Sequence, residues 1–262
     1  MLCESNSKAV LASDRMITVS FLSHEFEHPT PKSQPVSESC VILSAGSALL
    51  PTEVFHDIDN EISSLKNPGV AEIVERVKAR YVAVRRKKAE ETYLRPRGLT
   101  IEGFYKTMDS LPAQLAAVLD QKIEKGDDGW GLELIIAGVD GSGAHIYLVE
   151  DPGVSSSFDS IGFVCTGSGS PHAFTSFIAS GYAENGSLNE AVYRTYEAKR
   201  RSERAPGVGP TTDMWIVTKE GVRKLKETVL VSLRGIYDRY AEWESGKLQK
   251  MSRDIGALDL DK

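Results

Sequence analysis

Apolar and polar residues follow two different periods along this chain, and the periods predict groups of strands separated by helices. Near the start, residues 8–13 and 17–22 have the composition and spacing of strands. Residues 40–45 form a short continuous apolar run, typical of a strand buried on both faces and ended by Gly46. Residues 24–39 are polar and carry three prolines, which predicts a loop.

The middle of the chain has helical spacing. Apolar residues recur every three or four positions in 51–66, and again from Val70 onward at i, i+3, i+4 and i+7. Residues 101–125 predict a third helix, which we expect to be bent or split because Pro112 lies inside it. The pattern therefore places consecutive helices between the first strands and those that follow.

Strand spacing returns in the second half. Residues 132–139 and 144–149 flank Asp140-Gly141-Ser142-Gly143, a sequence typical of a hairpin turn. The later predictions are, in order, a strand at 163–166, a glycine–serine loop at 167–171, a helix after the capping box at 187–190, a strand at 214–218 and a helix at 222–243. This order indicates two sheets packed face to face with helices outside, in one domain over 1–245 with a polar tail at 246–262.

Charge gives no indication of a nucleic-acid partner, because the 262-residue chain has a net charge of −6. Basic residues cluster at 85–88 and 199–201, but both clusters fall in helical patterns, where a solvated face is the expected interpretation. No apolar run approaches the roughly 18 residues that a membrane helix needs. Residues 1–14 do not have the pattern of a signal peptide.

The cysteine content favours a reducing, cytoplasmic compartment. The three cysteines, Cys3, Cys40 and Cys165, are an odd number without paired spacing. Cys40 and Cys165 lie in apolar runs, so we expect both to be buried thiols that pack as small apolar side chains.

Three segments of the second half together resemble proteasome β-type subunits of the N-terminal-nucleophile hydrolases. They are LIIAGVD at 134–140, GSGSP at 167–171 and DMWIVTKEGV at 213–222. The resemblance implies an α+β fold, a four-layer αββα sandwich, with no cofactor. It also implies self-association into rings and peptide or unfolded protein as substrate. The helical middle, 51–131, is longer than in the family by about one helix, around residues 80–104.

The resemblance also implies site residues. In the family, the hydroxyl of an N-terminal threonine attacks the peptide carbonyl and its free amine accepts the proton, since an α-amine has a pKa near 8. By position, Lys32 is the lysine that lowers the pKa of the nucleophile, and Asp14 is the carboxylate that holds this lysine. The amide of Gly46 is the oxyanion donor, and Ser168 is the serine that bonds the N-terminal amine.

The chain departs from the family at the nucleophile. Counting back from Asp14, the threonine would fall five or six residues before Met1, and Cys3 would lie at the far end of the strand. A longer natural N-terminus, an inactive relative that keeps the scaffold, and an unforeseen arrangement all remain open. Glu203 is a candidate substitute for an aspartate of the family, whereas Val208 occupies a region where the family has a serine.

Three functions therefore compete. The first is a threonine-type peptidase, and the second is a non-catalytic scaffold or ring subunit. The third is a zinc peptidase, because residues 24–28 match H-E-x-x-H, in which His24 and His28 would bind zinc and Glu25 would act as base. That chemistry needs a helix, but two prolines follow directly and a strand-like run precedes, so we interpret the match as chance.

Overall fold

A computed structural model describes residues 1–19, 24–46, 50–55, 58–126, 131–182 and 185–256. The strands are β1 (Leu2–Cys3), β2 (Lys8–Ser13), β3 (Met16–Val19), β4 (His24–Glu27), β5 (Ser33–Ser37), β6 (Cys40–Gly46), β7 (Leu132–Asp140), β8 (Gly143–Glu150), β9 (Val154–Ser157), β10 (Asp213–Thr218) and β11 (Gly221–Lys224). The α-helices are α1 (Leu50–Phe55), α2 (Ile58–Ser63), α3 (Val70–Ala89), α4 (Ile101–Thr107), α5 (Ala113–Lys125), α6 (Ser170–Ala179), α7 (Leu188–Ser202) and α8 (Glu227–Gly256). The fold is therefore mixed α and β, compatible with the α+β class.

The strands form antiparallel sheets. One sheet has the order β1-β2-β10-β11, a second has the order β5-β6-β7-β8-β9, and β3 pairs with β4 in a separate hairpin. The early strands are thus divided between the two sheets: β2 pairs with β10, and β6 pairs with β7. The turn at Asp140–Gly143 joins β7 and β8 as the sequence predicts.

Apolar residues from one face of each sheet form a shared core. Leu11 and Trp215 of the four-stranded sheet belong to the same buried cluster as Ile135 and Ile146 of the five-stranded sheet. The opposite face of the five-stranded sheet packs against α1, α2 and α3 in a second buried cluster. Helix α7 contacts β1 and β2 of the four-stranded sheet, and α6 contacts α7. The alternation of side chains along the strands gives each sheet two buried faces.

The longer helical middle has a core of its own. After α3 the chain continues through a single π-helical turn, Glu90–Leu94, and a 3₁₀ turn, Arg95–Arg97, before α4 begins. Leu94, Phe104 and Leu119 are buried in one cluster that these turns share with α4 and α5. Pro112 lies at the N-cap of α5, so the predicted helix is split there. The helix predicted at 101–125 is therefore two helices, α4 and α5, whose buried residues belong to one cluster.

Several sequence predictions of local structure are wrong. Residues 24–39 were predicted as a loop, but they contain β4 and β5. Proline is tolerated at position 35 because β5 is an edge strand, and on its outer side no neighbouring strand needs a hydrogen bond from the missing amide. Residues 163–166 are not a strand, and β9 pairs with β8 instead. Residues 222–224 pair with β10 as β11, so the last helix begins later than predicted. Residues 20–22 of the predicted second strand lie outside the described residues.

Contacts divide the chain into two compact units, Met1–Lys224 and Leu225–Lys262. This boundary differs from the predicted domain at 1–245 with a tail at 246–262. The described part of the second unit is the helix α8, which continues through the segment predicted as tail. Within that segment Gly246 is the only strong helix breaker before the helix ends, and a single glycine costs about 1 kcal/mol.

Arg85 shows why the basic cluster at 85–88 is not simply a solvated face. Its side chain is 9% exposed, and its Nε donates to Asp151 Oδ1 at 2.7 Å. Tyr81 Oη donates to the same oxygen at 2.7 Å, so α3 is tied to the turn between β8 and β9. A buried arginine needs such partners, and only the tertiary structure supplies them.

Among the described residues, no helix combines the length and apolar character that crossing a membrane requires.

Candidate functional site

Asp14 and Lys32, predicted to interact, lie in contact. Asp14 directly follows β2, Lys32 directly precedes β5, and Lys32 Nζ is 2.8 Å from Asp14 Oδ1. The amide of Met16 donates to the same oxygen at 2.6 Å, which fixes the carboxylate. Both side chains are partly exposed, so the pair is in reach of solvent. The contact is the one that the family resemblance implies, while its catalytic role stays a prediction.

Ser33 fixes the position of the lysine relative to the sheets. It is buried next to Lys32, and its Oγ lies 3.0 Å from Ser13 Oγ, at the end of β2. The indole Nε1 of Trp215, in β10, donates to the same Ser33 Oγ at 2.9 Å. These bonds connect the start of β5 with two strands of the other sheet, so the ion pair lies where the two sheets meet. The sequence gives no signal for this role of Ser33.

Gly46 lies at the same end of the sheets. It is the last residue of β6, opposite Leu132, and its φ is +91°, a left-handed conformation. A Cβ at this position would lie 2.4 Å from the carbonyl oxygen of Gly131, so a larger residue does not fit without rearrangement. The backbone conformation and the close approach of Gly131 therefore require glycine at position 46, independently of any role of its amide as an oxyanion donor. Residues 47–49, which follow it, lie outside the described residues.

The glycine–serine loop approaches the end of β6. A Cβ on Gly167, whose φ is +82°, would lie 3.2 Å from Ala45 Cβ. Glu133, opposite Ala45 on β7, holds this loop: its carboxylate accepts hydrogen bonds from Thr166 Oγ1 and, at 3.2 Å, from the amide of Gly167. Sequence reasoning missed Glu133. The signal available was a carboxylate near the start of a strand whose interior residues are apolar.

Ser168 lies beside the segment that precedes β10. A Cβ built on Gly207 would be 3.4 Å from Ser168 Oγ and 3.1 Å from Thr18 Oγ1. A Cβ built on Gly169, the next residue of the loop, would lie 2.7 Å from Ser202 Cβ and 3.0 Å from a methyl carbon of Val208. The glycines at 167, 169 and 207 therefore permit close packing of this segment on the glycine–serine loop. The structure brings Ser168 to this interface, and not to the amine of Met1.

Lys199 anchors the same segment from α7. Its side chain is 5% exposed, and its Nζ donates to Glu203 Oε1 at 2.6 Å and to the carbonyls of Gly209 and Pro210 at 2.8 and 3.0 Å. Burial lowers the pKa of Lys199, while the negative charges of Glu203 and Asp14 act in the opposite direction. The prediction of a solvated basic face is wrong for Lys199, because the segment that follows α7 folds back and supplies carbonyls from 10 and 11 residues further along the chain.

Glu203 is occupied by cations. Besides Lys199, it accepts from Arg200 Nη1, which lies 2.5 Å from Glu203 Oε2. Glu203 is the C-cap residue of α7, and its carboxylate pairs with two basic side chains of the last turn. Val208 packs against Gly169, so the position has an apolar contact in this chain.

The described N-terminus lies at a distance from the ion pair. Leu2 is opposite Ala9 and Cys3 is opposite Lys8, and the amine of Met1 donates to the carbonyl of Val10 at 2.9 Å. Val10 precedes Asp14 by four residues, or about 13 Å along an extended strand. Burial lowers the pKa of the Met1 amine to about 6.

The cysteines are unsuited to act as nucleophiles in this environment. Burial raises the pKa of Cys3 to about 11 and those of Cys40 and Cys165 to about 12. All three are free thiols, of which Cys40 is fully buried and Cys165 partly exposed. Cys3 lies opposite Lys8, six residues from Asp14, about 20 Å away along the strand. A thiol with a raised pKa holds its proton at neutral pH and reacts slowly.

The H-E-x-x-H segment is extended. His24 and Glu25 belong to β4, which pairs with β3, and His28 follows the strand. Residues four apart in a strand lie about 13 Å apart, too far to share one metal ion. Within the ranges that the structure describes, no group of three His, Cys, Asp or Glu side chains is arranged to hold a metal. The geometry gives no support to the zinc interpretation.

Compared with known proteins, the chain matches no protein-family model, and no curated protein matches it significantly.

Proposed function

We propose that this protein is a proteasome-like hydrolase of the N-terminal-nucleophile type, a threonine-type peptidase with a four-layer αββα sandwich. Two observations support the layering: the two sheets share an apolar core, and helices contact the outer face of each. Antiparallel pairing throughout both sheets agrees with this architecture. The reaction is peptide-bond hydrolysis through an acyl-enzyme ester and needs no cofactor.

The ion pair between Lys32 and Asp14 is the observation that carries the proposal. A lysine at this position, held by Asp14 at 2.8 Å, presents a positive charge at the end of β2. Such a charge favours the deprotonated form of a nearby hydroxyl and thus makes it a better nucleophile. Gly46 ends β6 on the same side, and its amide is the proposed oxyanion donor.

The register of β1 on β2 indicates where a threonine would act. Each step back along β1 is one step forward along β2, so with Leu2 opposite Ala9, a residue four positions ahead of Met1 would face Asp14. Counting back from Asp14 in the sequence had placed this threonine five or six residues before Met1. A threonine at that position would have its hydroxyl and amine beside Lys32, where the proposed chemistry needs both.

A non-catalytic scaffold or ring subunit is the second candidate. The observation in its favour is that the amine described at the start of β1 bonds to Val10 and not to the ion pair. Both candidates share the proposal of a cytoplasmic protein that self-associates into rings. Only the peptidase needs peptide or unfolded protein as a substrate.

The peptidase proposal is tested on protein purified from its own cells and expressed from its own gene with the upstream region. We expect N-terminal sequencing and intact mass to show a threonine at the N-terminus, and the protein to hydrolyse a fluorogenic peptide. Lys32→Met removes the charge but keeps most of the side chain, and we expect it to lower kcat/KM roughly 100-fold or more. Lys106→Met, at an exposed lysine, is the matched control and should leave the rate unchanged.

The outcomes separate the candidates. An intact Met1 at the N-terminus together with no hydrolysis would exclude the peptidase and leave the scaffold. Hydrolysis that Lys32→Met does not affect would show that another site acts on the peptide.

A further inference from the structure

Helix α8 carries a stripe of apolar side chains that faces solvent. Ile236, Tyr240 and Trp243 are all exposed, the last of them to 58%. The rings of Tyr240 and Trp243 stack with their centroids 5.7 Å apart, so the two side chains form one apolar patch. Tyrosine and tryptophan are enriched among the residues that dominate binding energy at protein interfaces. A patch of this composition indicates a surface that binds another protein.

The spacing of this stripe is that of a coiled coil. Starting from Val229, apolar residues recur at steps of 4, 3, 4 and 3, which reach Leu233, Ile236, Tyr240 and Trp243. These steps are typical of positions a and d of a heptad repeat, whose side chains face a partner helix. Leu233 and Tyr240 then occupy position a, while the other three residues occupy position d. A helix that packs on a globular core has a broader apolar face, so this narrow seam fits a single partner helix.

Beyond Gly246 the apolar stripe continues one position out of step. Leu248, Met251 and Ile255 are exposed and follow one another at steps of 3 and 4. At 3.6 residues per turn, they extend the stripe to an arc of about 140° in all. The regular heptad spacing therefore covers only a little more than two heptads, fewer than a stable coiled coil usually has. We expect a pairing along this seam to dissociate on dilution, which leaves α8 open to solvent in the monomer.

Two opposite charges flank the seam at the positions that lie beside a partner helix. Arg239 directly precedes Tyr240, at position g, and Glu244 directly follows Trp243, at position e. Both side chains are exposed, and neither has an ion-pair partner within the part of the chain that the structure describes. In two parallel helices, position g of one helix lies beside position e of the other, five residues further along. Glu244 follows Arg239 by five residues, so two parallel copies of α8 bring these charges together on both sides of the seam.

The same charges disfavour other partners of the stripe. Antiparallel helices bring position g beside g and position e beside e, so Arg239 would face its own copy or an uncharged residue. A membrane surface attracts helices whose polar face is rich in lysine and arginine. Between residues 234 and 254, however, α8 has five basic and four acidic residues. This near balance of charge, together with the spacing of Arg239 and Glu244, fits a second copy of the same helix.

We propose that two copies of this protein associate through α8 as a short parallel coiled coil, with Tyr240 and Trp243 in its seam. The apolar side chains at positions a and d cover one another, and Arg239 of each protomer pairs with Glu244 of the partner subunit. Lys247 occupies the next position a, and its ammonium lies 5.4 Å from the ring centre of Trp243. A polar residue at one position a fixes the register of two helices at a cost in stability.

Charge reversal in the full chain, followed by sedimentation equilibrium over a dilution series, tests the pairing. In Arg239→Glu and in Glu244→Arg both ion pairs of the dimer become repulsive, and we expect each change to raise the dissociation constant roughly tenfold. The double variant should restore the wild-type constant, and an equimolar mixture of the two single variants should form mixed dimers. Arg234→Glu and Asp238→Arg make the same charge changes on the outer face of the helix, and should leave the constant unchanged.

Disulfide formation determines the direction of the two helices. Position d faces itself across a parallel pair, so Ile236→Cys should give a disulfide-linked dimer on mild oxidation. Asp238→Cys, on the outer face, is the control and should give no more linked dimer than the wild type. The native thiols set this background, because Cys3 and Cys40 are buried and Cys165 is partly buried. If the protein also forms rings through other surfaces, this measurement still reports on α8 alone.

Three results would each overturn the proposal. The first is a wild-type chain that stays monomeric at the highest concentration at which it is soluble. The second is association that neither charge reversal weakens, and the third is weakened association that the double variant does not restore. Circular dichroism of each variant confirms that the fold is kept. These readouts do not involve Lys32 or an N-terminal threonine, so the peptidase proposal can fail without affecting them.

Discussion

Asp213 is a buried charged residue that holds strands together near the candidate site. It begins β10, opposite Ser13, and its carboxylate accepts from Arg15 Nε at 2.7 Å and pairs with Lys224 Nζ at 2.6 Å. Burial opposes ionisation of this carboxyl, but hydrogen bonds and charge from Arg15 and Lys224 outweigh it and lower the pKa of Asp213. Arg15, which follows Asp14 in the chain, is thereby held against β10.

We expect Asp213→Asn to destabilise the protein by about 2 kcal/mol at neutral pH, because two cations lose their charged partner. The folded-state pKa lies below the unfolded value, so the stabilisation is present above about pH 4 and is lost as pH falls through the folded-state pKa. Urea unfolding at pH 7 and pH 3 should therefore show a difference between variant and wild type that shrinks at the lower pH. Asp109→Asn, at an exposed aspartate, is the control, and a difference independent of pH would contradict the prediction.

Single residues also show how far the site could be predicted. Asp14 and Lys32 could be paired from the resemblance, since the family supplies their relative order. Glu133 and Lys199 could not be identified as site residues from the sequence, because their importance lies in their contacts. The carboxylate of Glu133 binds the glycine–serine loop, and the buried ammonium of Lys199 binds two backbone carbonyls. The loop amide lies 34 residues from Glu133, and the two carbonyls lie 10 and 11 residues from Lys199, so helical or strand periodicity does not encode these contacts.

Among the elements of the first unit, the helical segment from Glu90 to Lys125 has a buried cluster of its own. Its cluster of buried residues is separate from those that join the sheets and α1 to α3. Arg85 Nη2 bonds the carbonyl of Glu124, which connects the end of this segment to α3. Such a cluster, attached at few points, is expected to open as a unit.

We expect Phe104→Ala to cost about 3–5 kcal/mol within this segment, because it leaves a cavity in a small core. Phe104 is fully buried, whereas Tyr105, the next residue, is 51% exposed and provides the matched control as Tyr105→Ala. Hydrogen exchange followed by mass spectrometry should show faster exchange in 90–125 for the first variant, with β7 unchanged. Equal effects of the two variants, or faster exchange throughout β7, would show that the segment is not a separate unit.

At the scale of the whole molecule, contacts separate a large compact unit, Met1–Lys224, from a second unit in which the long helix α8 forms nearly all of the described part. Isolated helices gain little stability from their own hydrogen bonds, and most helical stability comes from packing. From Arg234 to the end of its described part, α8 exposes most of its side chains, including Trp243 and Leu248. Helix α7, by contrast, buries Tyr196 and Lys199.

We expect limited trypsin digestion to cut α8 before α7, although both helices are rich in lysine and arginine. The first cleavages should fall at Arg239, Lys247 or Lys250, since cleavage follows local opening. Mass spectrometry of early fragments identifies these sites. Early cleavage at Arg200 or Arg201 would contradict the division into a well-packed unit and a less protected helix.

By itself, the sequence determined most of the helices and strands, since periods of 2 and 3.6 residues reflect which side chains face a core. It also determined the hairpin at Asp140 and the cap of α7 at Ser187, because turn and cap residues act within a few positions of themselves. The tertiary structure alone decided how the early strands divide between two sheets, that Asp213 is buried against Arg15, and that Trp215 reaches Ser33 beside Lys32. The reason is physical: these features depend on contacts between segments distant in sequence, where burial and charge are set by the partner and not by the local pattern.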